Sequence, residues 1–414
     1  MNSDRTLILF SASFPFGTAE TFLKNEFPLL AKTFDRIFIV TNDLSSELTT
    51  QISSEIKVIR YPYTASLLSK VSALANFLHL RKELKFMRRR GIPLNKTSLF
   101  TLLTSYAKTI EVNLFLEKLV IENNIQLSKL TLYSYWMNDM AAGIAMFKYK
   151  HQQAKTICRT HGWDVYFERH KPAYLPLRNF IIGNLDATYC ISQNGKEYLD
   201  ELTQHKFSQK IKLSRLGTFN TKGVLSASNS GKLKLLSCSN IIPLKRTHLI
   251  IEALALINDF ELEWIHFGTG VLKNEIEKLA HEKLSSKKNI RFEFGGQVNN
   301  ETLLNYYSSN AIDVFINVSE TEGLPVSIME ANSFGIPLIA TDVGGVSEIA
   351  KHHVNGFLLP PNCTAFEIAE AIKKFYALSQ EEKDRMRKNA FDIWNKEFNA
   401  EKNYPAFIQS LLAL

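Results

Sequence analysis

What most constrains this chain is an alternation, kept along its whole length, of short apolar runs with amphipathic stretches. Residues 6–10, 36–40, 57–60, 129–133, 155–159 and 187–191 each read as a strand. Helical stretches lie between them. In 20–32, for example, Phe22, Leu23, Phe27, Leu29 and Leu30 make one apolar side. Strands that alternate with helices pack as a parallel sheet covered on both faces, so the expected class is α/β, doubly wound. The pattern restarts at 233 and runs through 262–267, 290–294, 311–318, 337–341 and 356–359. Between the two series, 218–232 is rich in Ser, Asn, Thr and Gly and holds one large aliphatic pair, Val224 and Leu225. Such a stretch reads as a linker. A chain of 414 residues is also long for a single core. The expected organisation is a first Rossmann-like domain at 1–218, a linker at 219–231, a second such domain at 232–392, and a helical segment at 393–414 returning to the first. Two such domains face a central cleft, a natural binding site.

Composition narrows the class. With 45% hydrophobic and 22% charged residues the chain reads as globular. Its four cysteines, Cys158, Cys190, Cys238 and Cys363, lack metal-ligand spacing and suit a reduced, cytosolic protein. No signal-peptide pattern precedes the first strand, and no run of 18 apolar residues offers a membrane span. The expected place is the cytoplasm, at most peripheral at the inner face of the plasma membrane. The net charge of +8 is unevenly placed: residues 1–218 carry 29 Lys and Arg against 18 Asp and Glu, residues 219–414 carry 20 against 23. The excess gathers at 81–90, after the apolar stretch 67–78. An apolar helix joined to a basic cluster suits an anionic membrane surface, so 67–90 is read as a membrane contact rather than a nucleic-acid contact.

The densest chemistry lies at 319–331, Ser-Glu-Thr-Glu-Gly-Leu-Pro-Val-Ser-Ile-Met-Glu-Ala. Glu322 follows a strand on a Gly-Pro loop, and Glu330 comes eight residues later in a helix. Loops at the C-terminal ends of strands are where open α/β sheets bind ligands. Two carboxylates there can each accept hydrogen bonds from vicinal hydroxyls. Downstream comes Asp342-Val343-Gly344-Gly345-Val346-Ser347-Glu348.

The string from Ser319 to Glu348 resembles the donor-sugar motif of retaining glycosyltransferases of the GT-B fold, family 4. That motif is Glu, seven residues, Glu, with Gly and Pro after the first Glu and a Gly-Gly-Glu turn downstream. The resemblance covers 232–372 and, more loosely, the first domain. It implies that Glu330 holds the ribose of a nucleotide, that Glu322 sits near the transferred sugar, and that the amides of Gly323 and Leu324 help hold that sugar. Residues 239–254 resemble the family's diphosphate-binding loop and its following helix. Lys245 stands where the family has Lys, whereas Asn240 stands where it usually has Arg, so Arg246 is the candidate to supply the second cation. Fixed cations stabilise a leaving diphosphate without a metal.

Gly268, in Gly-Thr-Gly after a strand, and Val298, after Gly295-Gly296, complete the implied donor side. In the first domain His161, beside Gly162 at a strand exit, is the implied partner of the sugar. The 15–21 loop, with Gly17, lies where the family has a double Gly. No Asp-x-Asp, His-Glu-x-x-His or Cys/His cluster occurs, so neither a metal nor another cofactor is expected. The resemblance implies transfer of a sugar from a nucleoside-diphosphate donor to a hydroxyl of a lipid-linked or glycan acceptor, with retention, in bacterial surface polysaccharide assembly. A sugar-nucleotide epimerase, or a non-catalytic binding or adaptor protein, is the alternative on the same scaffold.

Overall fold

The computed structural model describes residues 5–17, 20–44, 47–75, 77–220, 222–223 and 231–414. The chain divides into two compact units, Met1–Arg215 with Tyr404–Leu414, and Leu216–Asn403.

In the first unit the order is β1 (Thr6–Ser11), α1 (Thr21–Thr33), β2 (Arg36–Thr41), β3 (Lys57–Arg60), α2 (Leu67–Ala75), α3 (Phe77–Arg89), α4 (Lys96–Glu122), β4 (Leu130–Ser134) and α5 (Asp139–Lys150). It continues with β5 (Lys155–Thr160), α6 (Gly162–Val165), α7 (Arg178–Asn184), β6 (Ala187–Cys190), α8 (Gln193–Leu202) and β7 (Ile211–Leu213). The seven strands are all parallel, in the order β3-β2-β1-β4-β5-β6-β7. Both faces of β1 are buried. Ile8 and Phe10 join one core with Phe38 and Leu132, while Leu7 and Leu9 join another with Ile37 and Ile39. A strand covered on two sides has no polar face to show, which is why it reads as a continuous apolar run.

The second unit runs β8 (Leu233–Cys238), α9 (Thr247–Ala255), β9 (Leu262–Phe267), α10 (Lys273–Leu284), β10 (Ile290–Gly296), α11 (Asn300–Ser309), β11 (Val314–Asn317) and α12 (Val326–Ser333). It ends with β12 (Leu338–Thr341), α13 (Val346–Ile349), β13 (Gly356–Leu359), α14 (Ala365–Ala377), α15 (Gln380–Glu397) and the start of α16 (Ala400–Leu412). The six parallel strands follow the order β10-β9-β8-β11-β12-β13, which reverses direction between β8 and β11. Helix ends are fixed locally. Thr364 with Glu367, and Ser379 with Glu382, form capping boxes at α14 and α15.

The unit boundaries differ from the sequence expectation in detail. Thr218 lies in the second unit, where it bridges Asn399 and its hydroxyl accepts the Trp394 indole N–H at 2.8 Å. Residues 393–403 are held there too, with Asn403 donating to the Leu216 carbonyl at 3.0 Å. Only 404–414 belong to the first unit, where Phe407, Ile408 and Leu411 enter the core beside Leu7 and Leu9. Within the expected linker, 221 and 224–230 lie outside the described residues.

Two other differences have physical causes. The 27-residue α4 escaped the sequence reading. Its buried side includes Ser105, Thr109 and Asn113 alongside Leu102, Leu116 and Leu119, so no clean apolar stripe marks it. In the expected membrane segment 67–90, Ala73, Leu80, Phe86 and Met87 are buried in the unit's own core. These residues are therefore not free to enter a bilayer. Asn76 lies outside the described residues.

Candidate functional site

Where the second sheet reverses, the loops after β8 and β11 leave the same edge side by side, the usual place for a ligand in such a sheet. The first loop carries Lys245 and the second carries Glu322. The Lys245 ammonium donates to Glu322 Oε1 at 2.5 Å, and Asn317 Nδ2 reaches the same oxygen at 3.3 Å. The Glu320 amide donates to the Leu244 carbonyl at 2.8 Å and ties the loops together. Thus residues 77 apart in sequence meet because their strands are neighbours.

The downstream turn explains itself at the same place. Gly344 has φ +56°, and a Cβ there would stand 1.9 Å from the Glu322 carbonyl oxygen. The Gly345 amide donates to the Gly323 carbonyl at 2.7 Å. The paired glycines therefore let one backbone lie directly on the other, and this shapes the Glu322 loop. Among the described residues the Gly323 and Leu324 amides have no hydrogen-bond partner. They sit just before α12, where orphan N–H groups favour an acceptor.

Glu330 lies in the second turn of α12 and is buried. Asn300 donates to its Oε1 at 2.5 Å. Burial pushes its carboxyl up to about 7, with the Asn300 hydrogen bond acting against that rise. Asn300 opens α11, directly after Asn299, which caps that helix by accepting the Thr302 amide at 2.8 Å. Half-buried Val298 precedes this cap, so the turn that carries it is linked to Glu330 through Asn300. No sequence signal pointed to Asn300 or Asn317.

Three expected donor residues have other roles. Arg246 was the candidate second cation. Its guanidinium instead donates to the carbonyls of Val318 at 2.7 Å, Pro361 at 2.9 Å and Ser319 at 3.1 Å. It braces the Glu322 loop from its own left-handed backbone position, φ +48°. Gly268 has φ +146°, and a Cβ would meet the Ser239 carbonyl oxygen at 1.9 Å. Its amide is taken by the Gly296 carbonyl at 2.8 Å, so this glycine serves the packing of two loops. The Gly17 amide donates to the Glu47 carbonyl at 3.2 Å. The preceding amides of Ala12, Ser13 and Phe14 all donate to the Glu20 carboxylate at 2.7–2.9 Å. That loop therefore has its anion already, a side chain of the same unit. Asn240 stands exposed at the start of the Lys245 loop.

In the first unit His161 follows β5 and caps α6. Its ring lies 4.4 Å from the Trp136 ring and 4.7 Å from that of Tyr135, centroid to centroid. Both ring nitrogens are buried without a hydrogen-bond partner. Burial, and then the neighbouring Arg159 guanidinium, lower its pKa to about 3, so the imidazole is neutral at any physiological pH. The Asp164 carboxylate fixes the backbone here by accepting the amides of His161 and Met137. Arg159 is itself held by Glu26 at 2.7 Å and by the Tyr133 hydroxyl at 3.1 Å. Among the described residues no group of three His, Cys, Asp or Glu is placed to hold a metal ion.

Comparison with known proteins agrees with this geometry. Residues 224–392 match the family of glycosyl transferases group 1. The chain is 27% identical over 209 residues to the O-antigen biosynthesis glycosyltransferase WbnH of Escherichia coli, a match over 50% of this chain and 56% of that protein. It is 23% identical over 224 residues, 52% of this chain and 54% of the relative, to the E. coli UDP-Gal:alpha-D-GlcNAc-diphosphoundecaprenol alpha-1,3-galactosyltransferase. The chain thus spans about half the length of these curated relatives. Its fold is similar to that of Anabaena HepE, solved in complex with UDP-glucose, with a TM-score of 0.62, 16% identity, and 99% and 100% of the two chains covered. Residues 224–392 therefore match the glycosyl transferases group 1 family, and the fold is like that of GT-B glycosyltransferases.

Proposed function

We propose that this protein transfers a sugar from a nucleoside-diphosphate donor to a hydroxyl of a glycan or lipid-linked acceptor, with retention, in surface polysaccharide assembly. The observation that carries this reading is the pairing of Lys245 with Glu322 at the sheet reversal, with the buried Glu330 on the helix that follows. Lys245 is the fixed cation for the leaving diphosphate. Glu322 and the Gly323 and Leu324 amides take the sugar, and Glu330 takes the ribose hydroxyls. His161 of the first unit keeps a neutral imidazole, with one donor and one acceptor nitrogen.

In the transfer step the acceptor oxygen bonds to the anomeric carbon as the bond to the diphosphate breaks. The acceptor proton passes to the departing diphosphate on the same face, which preserves the configuration. No metal is required, because Lys245 supplies the charge. The names of the relatives support a nucleotide-sugar donor and an acceptor of polysaccharide assembly. One relative is named for UDP-galactose and a diphosphoundecaprenol acceptor, another for O-antigen biosynthesis, and HepE was solved with UDP-glucose. A cytoplasmic protein at the inner face of the membrane would meet both substrates.

Isothermal titration with a panel of nucleotide sugars tests the donor assignment. The expected result is one preferred donor, bound more weakly by Glu330→Ala; equal affinity in that variant refutes the ribose assignment. Proton NMR of the product should give the donor's anomeric configuration, and an inverted product would end the retention claim. Activity should persist with EDTA. Consumption of donor in the absence of acceptor would point to epimerisation instead.

A further inference from the structure

The first unit holds a groove of about 550 Å³ with an unusual charge. Lys82, Lys85, Arg89 and Arg90 line it from α3 and its end, and Lys206 lines it from the turn after α8. All five are exposed, and among the described residues none is in an ion pair. One acid lines the groove, Glu83. Its carboxylate is buried and accepts the Tyr174 hydroxyl at 2.8 Å and the Leu177 amide at 3.0 Å. Burial raises the Glu83 pKa, against the hydrogen bonds from Tyr174 and Leu177 and the charge of Arg178. The apolar lining comes from Phe86, Phe180 and Phe207, with the largely exposed Tyr149 beside them.

The cations form a pattern. Arg81, Lys82, Lys85, Arg88 and Arg89 are exposed at i, i+1, i+4, i+7 and i+8, one face of a helix. The other face, with Leu80, Phe86 and Met87, is in the core. Complementing the negative end of α3 explains Arg88 and Arg89 alone. It leaves the three earlier cations and Lys206 unexplained. The groove lies at the C-terminal ends of α5, α7 and α8, whereas His161 follows β5 at the opposite edge of the sheet. It is a separate place on this unit. Its size suits a small ligand, and uncompensated cations in a concave surface focus the field on an anion. The basic face extends beyond the groove through Arg81 and Arg88, further than one small anion requires. A surface that presents many phosphates fits that extent.

We infer that this groove is a second anion site, which receives the phosphate of an anionic phospholipid while the cationic face of α3 lies against neighbouring headgroups. The attachment is electrostatic, because Leu80, Phe86 and Met87 of α3 are buried in the unit's own core. It deepens the reading of a membrane-held acceptor, yet vesicle binding is measured without donor or transfer, so either can fail alone.

The test is sedimentation of the full chain with vesicles of phosphatidylcholine alone and of phosphatidylcholine with phosphatidylglycerol. Binding is expected only to the second, and is expected to fall steeply with added salt. Lys85→Glu with Arg89→Glu should weaken it at least tenfold, on the order of fivefold for each cation removed. Lys85→Gln with Arg89→Gln should show a smaller loss, and unchanged melting and donor affinity would show that both variants are folded. Lys278→Glu with Lys283→Glu, on α10 of the second unit, makes the same change in net charge and should leave binding intact. Equal loss in that control, equal binding to neutral vesicles, or no loss in the groove variants would overturn the inference. Binding of inorganic pyrophosphate to the groove without any vesicle binding would also overturn it, in favour of a soluble phosphate ligand.

Discussion

Arg246 offers the sharpest test of how the Glu322 loop is held. Its backbone is left-handed, φ +48°, which costs a non-glycine residue about 1 kcal/mol. Its guanidinium offsets that strain by bonding the Val318, Ser319 and Pro361 carbonyls. Hydrogen bonds from charged groups contribute about 1.5 kcal/mol each where water is partly excluded, and less where exposed. The Val318 and Ser319 bonds are part-buried and the Pro361 bond is exposed, so about 3 kcal/mol is at stake. Arg246→Ala loses those bonds and keeps the strain, for a net loss of about 3 kcal/mol. Arg246→Gly loses the same bonds but relieves the strain, for about 2 kcal/mol. At about 2–4 °C for each kcal/mol, the melting temperature should fall in the order parent, Gly, Ala. Thermal melts followed by circular dichroism, with donor titration alongside, give both readouts. A glycine variant less stable than the alanine variant would refute the strain argument. Unchanged melting with weakened diphosphate affinity would return Arg246 to the role of a donor cation.

Other predictions follow from single contacts. Gly344→Ala places a methyl group 1.9 Å from the Glu322 carbonyl oxygen at φ +56°, so it should cost on the order of 2–3 kcal/mol and reduce transfer together with stability. Normal melting and activity would show that the two loops are not in close contact. Glu322→Gln frees Lys245, so affinity for the bare nucleoside diphosphate should rise by up to about fivefold while transfer falls; calorimetry showing weaker diphosphate binding would refute the pairing argument. With the Glu330 carboxyl raised to about 7, its ionised form grows about tenfold between about pH 6 and about pH 8, and if that form takes the ribose as proposed, donor affinity should follow it. Glu330→Gln should flatten that profile, and a parent profile that is already flat would contradict it. The sign for stability is opposite. The folded carboxyl holds its proton above its ordinary value of 4.5, so its contribution to stability falls as pH rises from there through about 7.

Much of this was legible in the sequence because buried parallel strands carry an unbroken apolar run, as β1 does with all six residues buried. Lys245 and Glu322 were legible as a motif, and the sheet order supplies the reason they meet. Arg246 was misread because sequence spacing cannot show where a long side chain points. As a cation beside a vacant family position it looked like a ligand, whereas three carbonyls claim it. Asn300 was invisible for a different reason. A helix-opening Asn is common, and only the fold brings this one to Glu330. In α3 the composition was read correctly as basic and apolar. Which face the core would use depends on packing against other elements, and the core took the apolar one.

The two sheets reverse at equivalent places, between β1 and β4 and between β8 and β11, yet they use those places differently. In the first unit Glu20 accepts the Ala12, Ser13 and Phe14 amides and the Trp136 indole N–H. These four donors are satisfied from within, and the result is a support for Trp136, whose ring packs against His161. Among the described residues the equivalent loops of the second unit leave the Gly323 and Leu324 amides without partners, and they join Lys245 to the Glu322 carboxylate. Topology alone does not decide which unit handles the anion. The deciding quantity is which donors the chain has already satisfied: Glu20 takes the amides of the first unit's loop, whereas among the described residues the Gly323 and Leu324 amides of the second unit remain open to an acceptor.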